Sequence, residues 1–432
     1  MKLVIIAGGK GTRLGLKEIP KPMVVINGKP LLEHQINLAK RYGLSDIYIL
    51  SGYLSSVIID HFGDGANFGV NITHVVEDKP LSTAGAVKQL EGLIEDRFMV
   101  FYGDTIMDID LANFIDFDLK NRDAIGSILV HPNDHPYDSD LIEVNENNRV
   151  TAFLSKPHKE NLMYSNMVNA ALYILSPKVF EYIASNKASD FGKHIFPQLV
   201  ETENLYAYKT TEYIKDMGTP DRFVKVEKDL VSGKVSRLNR SKKQKAVFLD
   251  RDGVINKEVD QLTNIEDFEL IDGTIRAIKS LNKSDYIVIV ITNQPVIAKG
   301  FITVEQLQSI HKKMDMLLGN EGAFLDDLFY CPHHPKVGFE GEITALKIEC
   351  KCRKPKPGML LKAAQQYNID LKNSWFVGDR YTDIAAGKST NTSTILLKTG
   401  HAGSDKHNFP SIESDFVFNN LAEATDYILK TN

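Results

Sequence analysis

The chain has 432 residues, 43% hydrophobic and 25% charged, with a formal net charge of −5 at pH 7. That length predicts two or three domains with room for large cores. The charge balance gives no sign of a nucleic-acid binder. With no run of 18 apolar residues, no membrane-spanning helix is expected, and three cysteines, an odd number, argue against a disulfide framework.

The opening MKLVIIAGGKGTRL holds five apolar residues and then glycines, which predicts a buried first strand rather than a signal peptide and, with it, a cytoplasmic location. Apolar runs at 3–7, 47–51, 71–76, 98–102, 124–130 and 170–175 predict strands, and amphipathic stretches at 31–42 and 83–93 predict helices. This alternation predicts an α/β domain with a mostly parallel sheet over residues 1–232. The stretch 231–245, VSGKVSRLNRSKKQK, carries six Lys/Arg and no acid, so a solvated basic linker or a fraying helix end is expected over 233–245, with a nucleic-acid patch as the lesser alternative. A second α/β domain is expected over 246–432, with strands at 246–249, 286–291, 328–330, 374–377 and 394–397.

AGGKGTRL (7–14) follows the first strand. Gly8, Gly9 and Gly11 let backbone N–H groups approach an anion, and Arg13 adds a fork for phosphate. Lys21, between two prolines, supplies a second cation, and two cations beside a glycine turn suit a triphosphate. These segments together resemble the signature of the sugar-1-phosphate nucleotidylyltransferases, of the mannose-1-phosphate guanylyltransferase and glucose-1-phosphate thymidylyltransferase type. The resemblance runs on through STAGAV (82–87), FYGDT (101–105), FLSKP (153–157), VNAALYIL (168–175) and YIKDMGTP (213–220). It implies a GT-A-like fold in which Gly85 approaches the base or ribose, and Asp104 and Asp216 hold magnesium. Lys156 would grip the sugar phosphate and Asn169 touch the sugar. One departure is visible: Ser155 stands where the family usually has Glu.

The second domain opens with FLDRDGVIN (248–256), an apolar run that delivers two carboxylates, Asp250 and Asp252, beside Gly253. Such a strand tip suits phosphoryl transfer, which needs a nucleophile, an acid/base and a magnesium site. IVITNQ (289–294) ends with Thr292 and Asn293, CRKPKPGM (352–359) supplies Arg353 and Lys354, and FVGDRYTD (376–383) supplies Asp379 and Asp383. In this order the four motifs resemble the haloacid dehalogenase (HAD) superfamily of phosphatases. The resemblance implies a Rossmann-like fold in which Asp250 is the nucleophile and Asp252 the acid/base. Asp250, the carbonyl of Asp252 and Asp379 would hold magnesium. Thr292 and Lys354 would bind phosphoryl oxygens, with Asp383 orienting the set. All three cysteines fall in Cys331-Pro332-His333 and Cys350-Lys351-Cys352, separated by 16 residues. C-x-H plus C-x-C is a four-ligand tetrahedral zinc set, with His334 as a competing ligand.

A zinc loop between these motifs marks the branch containing heptose bisphosphate phosphatases and histidinol phosphatases. Its TNQSG-type segment appears here with Pro295 where Ser is usual. One half would produce a sugar 1-phosphate and the other consume it, which favours the heptose over the histidinol reading. The expectation is a bifunctional enzyme that removes the 7-phosphate of D-glycero-D-manno-heptose 1,7-bisphosphate and transfers a nucleotidyl group, GMP from GTP, to heptose 1-phosphate for surface polysaccharide. Another nucleotide or sugar, or a regulatory first domain, stays open, as does a homo-oligomer.

Overall fold

The computed structural model describes residues 1–9, 18–160 and 162–431. Gly11 and Arg13, two of the expected phosphate-binding residues, lie outside them. The chain divides into two compact units. The first holds residues 1–131, 139–157 and 167–239; the second holds 132–138, 158–166 and 240–432.

In the first unit, Lys2–Ile6 runs parallel to Asp46–Ser51 on one side and Phe98–Tyr102 on the other, and Asn71–Val76 joins the outside of Asp46–Ser51. Val168–Leu175 pairs antiparallel with Phe98–Tyr102 and also with Gly126–His131, so the nine-stranded sheet is mixed rather than mostly parallel. The reason lies in the connections, since antiparallel neighbours need no crossover helix. The central strand KLVII is buried on both faces between two apolar clusters, one including Leu3 and Ile5 and the other Val4 and Leu50. A separate ribbon pairs Thr105–Asp108 with Tyr213–Asp216, bringing Asp216 opposite Thr105. The helix expected over 83–93 is shorter, Ser82–Lys88.

In the second unit six parallel strands run in the order Asp327–Cys331, Tyr286–Asn293, Lys245–Leu249, Trp375–Gly378, Ser393–Leu397 and Phe416–Phe418. The first strand in sequence lies inside this order, the doubly wound arrangement whose crevice opens at the carboxyl ends of the strands. Residues 132–138 and 158–166 belong to this unit. Asn133 and Asn166 exchange hydrogen bonds of 3.1 and 2.8 Å, and Asn166 N–H donates to Asp315 at 3.0 Å.

Of the two forms expected for the basic stretch 233–245, its start takes the helix end rather than the solvated linker. Lys234–Arg237 forms a helical turn with Lys234 and Val235 buried, and Asn239 donates to Asp108 at 2.7 Å within the first unit. From Arg240 the chain belongs to the second, where Arg240 donates to the Gln366 carbonyl at 2.5 Å and faces the Tyr367 ring. Val235 and Leu238, one helical turn apart and both buried, explain the change. They give the segment an apolar side that its charge count conceals.

Candidate active sites

At the second unit's strand ends, Asp250 follows Lys245–Leu249 directly and Asp379 follows Trp375–Gly378. Asp383 comes from the first turn of the helix Tyr381–Lys388. The carboxylates of Asp250, Asp379 and Asp383 offer oxygens all within 4.8 Å of one another, and all three residues are buried. The Lys354 ammonium lies 2.8 Å from Asp250, 2.7 Å from Asp383 and 2.9 Å from the Ile291 carbonyl. Burial opposes its charge, but the two aspartates outweigh burial and hold its pKa above the usual value. Burial, then Asp250 and Asp383, push Asp379 up to about 8. One ammonium does not balance three carboxylates, and Asp379 Oδ1 is buried without a hydrogen-bond partner. An oxygen donor set with such an orphan fits a hard divalent cation.

Two glycines make the room. A Cβ on Gly253 would lie 2.4 Å from Asp379 Oδ2, and one on Gly400 2.3 Å from the same atom; both have positive φ. The main-chain N–H of His401 donates to that oxygen at 2.6 Å. The Asp252 carboxylate points elsewhere. It accepts from Arg251 Nη2 at 2.8 Å, from Asn256 Nδ2 at 2.9 Å and from Gln294 Nε2 at 2.8 Å. Its side chain is therefore outside the three-carboxylate cluster, and only its main-chain carbonyl remains for the metal role expected of it. Arg251 is fully buried, and its Nη1 donates to His311 at 3.2 Å. Gln294 also donates to Thr292 Oγ1 at 3.0 Å. Asn293 and Lys354 exchange hydrogen bonds, the Asn side chain donating at 3.2 Å and accepting the Lys354 N–H at 3.0 Å.

The four zinc candidates converge. Cys352 Sγ lies 3.2 Å from Cys331 Sγ, 3.3 Å from Cys350 Sγ and 3.3 Å from His333 Nδ1. These separations exceed the roughly 2.05 Å of a disulfide and suit donors around one tetrahedral ion about 2.0–2.3 Å away. His334 takes no part in the cluster, its Nδ1 facing the Lys336 carbonyl at 3.3 Å. The Arg353 N–H donates to Cys350 Sγ at 3.4 Å, and its guanidinium to the His333 carbonyl at 3.2 Å. Cys331 pairs in strand register with Asn293. Pro295 leaves a turn that still closes, its carbonyl accepting from Lys299 N–H at 3.0 Å.

In the first unit, Gly8 and Gly9 follow Lys2–Ile6, and among the described residues a Cβ on Gly9 would meet nothing within 4 Å. Lys21 is buried and its ammonium lies 2.6 Å from Asp104. The turn carrying Asp104 is pinned by the buried Gln35 amide, which donates to the carbonyls of Tyr102 at 2.8 Å and Thr105 at 2.7 Å. Asp216 is gripped by Arg222 at 2.9 Å; burial alone would raise its pKa, and Arg222 brings it below the usual range. Met217 N–H donates to the Asp104 carbonyl at 3.0 Å, so the two aspartates are neighbours. Asn169 donates to the Tyr173 hydroxyl at 3.0 Å, and the Tyr173 ring meets that of Tyr102 edge-on with centroids 5.7 Å apart. The Lys156 N–H donates to Asp140 at 3.1 Å, and Ser155 donates to the Gly192 carbonyl at 3.1 Å.

Gly85 is under a packing constraint that the sequence did not show. It sits buried in the helix Ser82–Lys88, its N–H donates to the Ser189 carbonyl at 3.0 Å, and a Cβ there would lie 2.7 Å from the Lys187 carbonyl. Close packing on 187–189 leaves no room for a side chain on this glycine. Gln35 and Arg222 had no signal in the sequence, because each acts on a partner through the fold, whereas Arg251, Asn256 and Gln294 lie inside the quoted motifs without a role assigned to them.

The nucleotidyl transferase family model matches residues 2–233, and a HAD-hydrolase-like model matches residues 351–424. A D-glycero-beta-D-manno-heptose-1,7-bisphosphate 7-phosphatase of Yersinia pestis is 38% identical over 179 residues, covering 41% of this chain and 92% of that protein. The protein of the same name in Escherichia coli strain K12 is 39% identical over 188 residues, 43% of this chain and 94% of its own. The crystal structure of HddC from Yersinia pseudotuberculosis is 29% identical, covers 53% of this chain and 99% of its own, and superposes with a TM-score of 0.47. Two α/β units and two matched families lead to one conclusion: the chain belongs to the nucleotidyl transferase family through its first half and to the HAD-type heptose-bisphosphate phosphatases through its second, and is an enzyme that joins the two.

Proposed function

We propose that the second unit removes the 7-phosphate of D-glycero-D-manno-heptose 1,7-bisphosphate and that the first then joins the resulting heptose 1-phosphate to GMP from GTP. The observation that carries this reading is the buried Lys354 ammonium between Asp250 and Asp383, beside Asp379, at the carboxyl edge of a parallel sheet. Asp250 attacks the 7-phosphorus, the bond to the sugar oxygen breaks, and that oxygen takes a proton from Asp252. Water then attacks the aspartyl phosphate, its proton passes to Asp252, and inorganic phosphate leaves. Lys354 and Thr292 hold the phosphoryl oxygens, and Asn293 fixes the lysine's peptide.

In the first unit an oxygen of heptose 1-phosphate attacks the α-phosphorus of GTP in line and pyrophosphate departs. Gly8, Gly9, Gly11, Arg13 and Lys21 cradle the triphosphate, while Lys156 and Asn169 hold the sugar phosphate and the sugar. Magnesium, bound by Asp250, the Asp252 carbonyl and Asp379 in one unit and by Asp104 and Asp216 in the other, supplies neutralisation of phosphoryl charge. Zinc on Cys331, His333, Cys350 and Cys352 braces the loop that carries Arg353 and Lys354. The test is to incubate the protein with heptose 1,7-bisphosphate and each nucleoside triphosphate separately and weigh the products. A GDP-heptose with released phosphate and pyrophosphate is expected from GTP. Nucleotide-sugar with another triphosphate and none with GTP would overturn the nucleotide assignment.

A further inference from the structure

The two residues read as holding the sugar phosphate and the sugar, Lys156 and Asn169, flank a segment that belongs to the other unit. The first unit holds 139–157 and 167–239, while 132–138 and 158–166 belong to the second. Asp140 ties the flanks together: its carboxylate accepts the Lys156 N–H at 3.1 Å and its main-chain carbonyl the Asn169 N–H at 3.0 Å. The two intervening segments are clipped to one another by the buried Asn133 and Asn166, which exchange main-chain and side-chain hydrogen bonds. Both are seated on the helix Val304–Asn320, whose Asp315 carboxylate accepts the Asn166 N–H at 3.0 Å. One turn later stands Gly319, where a Cβ would lie 2.7 Å from Pro136 Cγ and 2.8 Å from the Tyr164 hydroxyl oxygen. Glycine weakens a helix relative to alanine, and Gly319 has no positive φ to require it. The close approach of Pro136 and Tyr164, one residue from each segment, explains its place.

A chain spans at most about 3.6 Å per residue, so Asn169 is tethered within about 11 Å of Asn166, and Lys156 within about 7 Å of His158. Anchoring 132–138 and 158–166 therefore anchors both ends of the sugar-binding stretch, where a free loop would let them drift. A displacement of about 1 Å in a substrate-positioning group can cost on the order of 100-fold in rate. We infer that Asp315 and Gly319 of the phosphatase half are positioning residues of the transferase: they seat 132–138 and 158–166 and thereby hold Lys156 and Asn169 in place for the sugar 1-phosphate. The transferase then depends on the second unit for its acceptor sugar and not for its nucleotide. Gly8, Gly9, Lys21 and Asp104 all lie within 1–131, which the second unit does not interrupt. This inference rests on the reading of Lys156 and Asn169 as the sugar-holding pair of a nucleotidyl-transferring unit.

The experiment uses the full chain, as wild type, Gly319→Ala, Asp315→Ala and Asp315→Asn. KM and kcat are measured for heptose 1-phosphate and for GTP, with phosphate release from the 1,7-bisphosphate as the check on the helix's own unit. Gly319→Ala favours the helix while crowding Pro136 and Tyr164, and Asp315→Ala removes the acceptor of the Asn166 N–H. Each is expected to raise KM for heptose 1-phosphate about five- to tenfold, with KM for GTP and phosphate release within about twofold of wild type. Asp315→Asn keeps an acceptor oxygen and should recover most of the loss. Without any substrate, amide hydrogen exchange over 156–169 should quicken roughly tenfold in Gly319→Ala and Asp315→Ala. A sugar KM that stays at the wild-type value in both variants overturns the inference, as does an equal rise in KM for GTP. Should phosphate release fall as well, Asn166→Ala, which leaves the helix untouched, takes their place, and the same split between sugar and nucleotide is required of it. A wild type that transfers to no heptose 1-phosphate with any nucleotide overturns the functional reading instead, and unchanged exchange over 156–169 overturns the anchoring separately.

Discussion

Gly253 carries two burdens at one position. Its φ of +77° is open to glycine, and the missing Cβ is the space into which Asp379 projects. Gly253→Ala is expected to cost about 1–2 kcal/mol from backbone conformation alone. It should also lower phosphate release at least tenfold by displacing Asp379, with nucleotidyl transfer unchanged; parallel assays of phosphate and pyrophosphate check this. His311 is a second case. Burial, then the Arg251 charge, lower its pKa from 6.5 to about 3, so it stays neutral and accepts from Arg251. The unfolded chain binds this proton below about pH 6.5 and the folded chain does not. The stability that neutral His311 contributes is therefore complete above pH 6.5 and lost as pH falls toward 3, on the order of a few kcal/mol. Thermal melts from pH 7.5 to 4.5 should fall less steeply for His311→Gln than for wild type.

At the scale of elements, the strand ends were legible because each candidate motif follows an apolar run: Phe248-Leu249 before Asp250, Val290-Ile291 before Thr292 and Phe376-Val377 before Asp379. Burial on both faces makes such runs continuous, so the tip is marked by the first polar residue. The cluster of three cysteines and His333 was equally legible, since its grouping is chemical rather than topological. What stayed hidden depends on long-range pairing. Asn169 is held by the buried Tyr173, which packs edge-on against the partly buried Tyr102, and both tyrosines read as ordinary core residues. Tyr173→Phe removes the hydroxyl that accepts from Asn169. The loss of one such bond, about 1 kcal/mol, predicts a roughly fivefold rise in KM for the sugar 1-phosphate with little change in KM for nucleotide. On the proposed zinc assignment, purified protein should hold one zinc per chain. Cys350→Ser should lower that content and the melting temperature of the second unit, with elemental analysis and calorimetry as the measurements.

On the scale of the whole molecule, two compact units were foreseen, and the nine-stranded mixed sheet of the first was not. Strand direction depends on connections that alternation alone does not fix, as with Val168–Leu175 inserted antiparallel beside Phe98–Tyr102. Nor does charge reveal burial: six Lys/Arg over 231–245 concealed Val235 and Leu238. The carboxylate sets lie in separate units, Asp104 and Asp216 in one and Asp250, Asp379 and Asp383 in the other. Asp250→Asn should therefore abolish phosphate release and keep transfer from supplied heptose 1-phosphate, and Asp104→Ala should do the reverse. In the Asp250→Asn chain, which does not interconvert the sugars, heptose 1-phosphate should be a far better acceptor than the 1,7-bisphosphate. A sugar pocket made for a terminal hydroxyl would otherwise have to desolvate a second dianion. Steady-state rates with both sugars measure this.

Cys331 stands in register with Asn293, Asn293 clamps the Lys354 peptide, and Cys350 accepts from the Arg353 N–H. The catalytic lysine is thus located by coordination bonds, on the proposed assignment, as much as by side-chain packing. Trace-metal supply then becomes an input to the traffic between the two halves. On the proposed function, a chain starved of zinc would go on charging any sugar 1-phosphate it met, yet would stop making its own, so that bisphosphate would pile up behind an intact transferase.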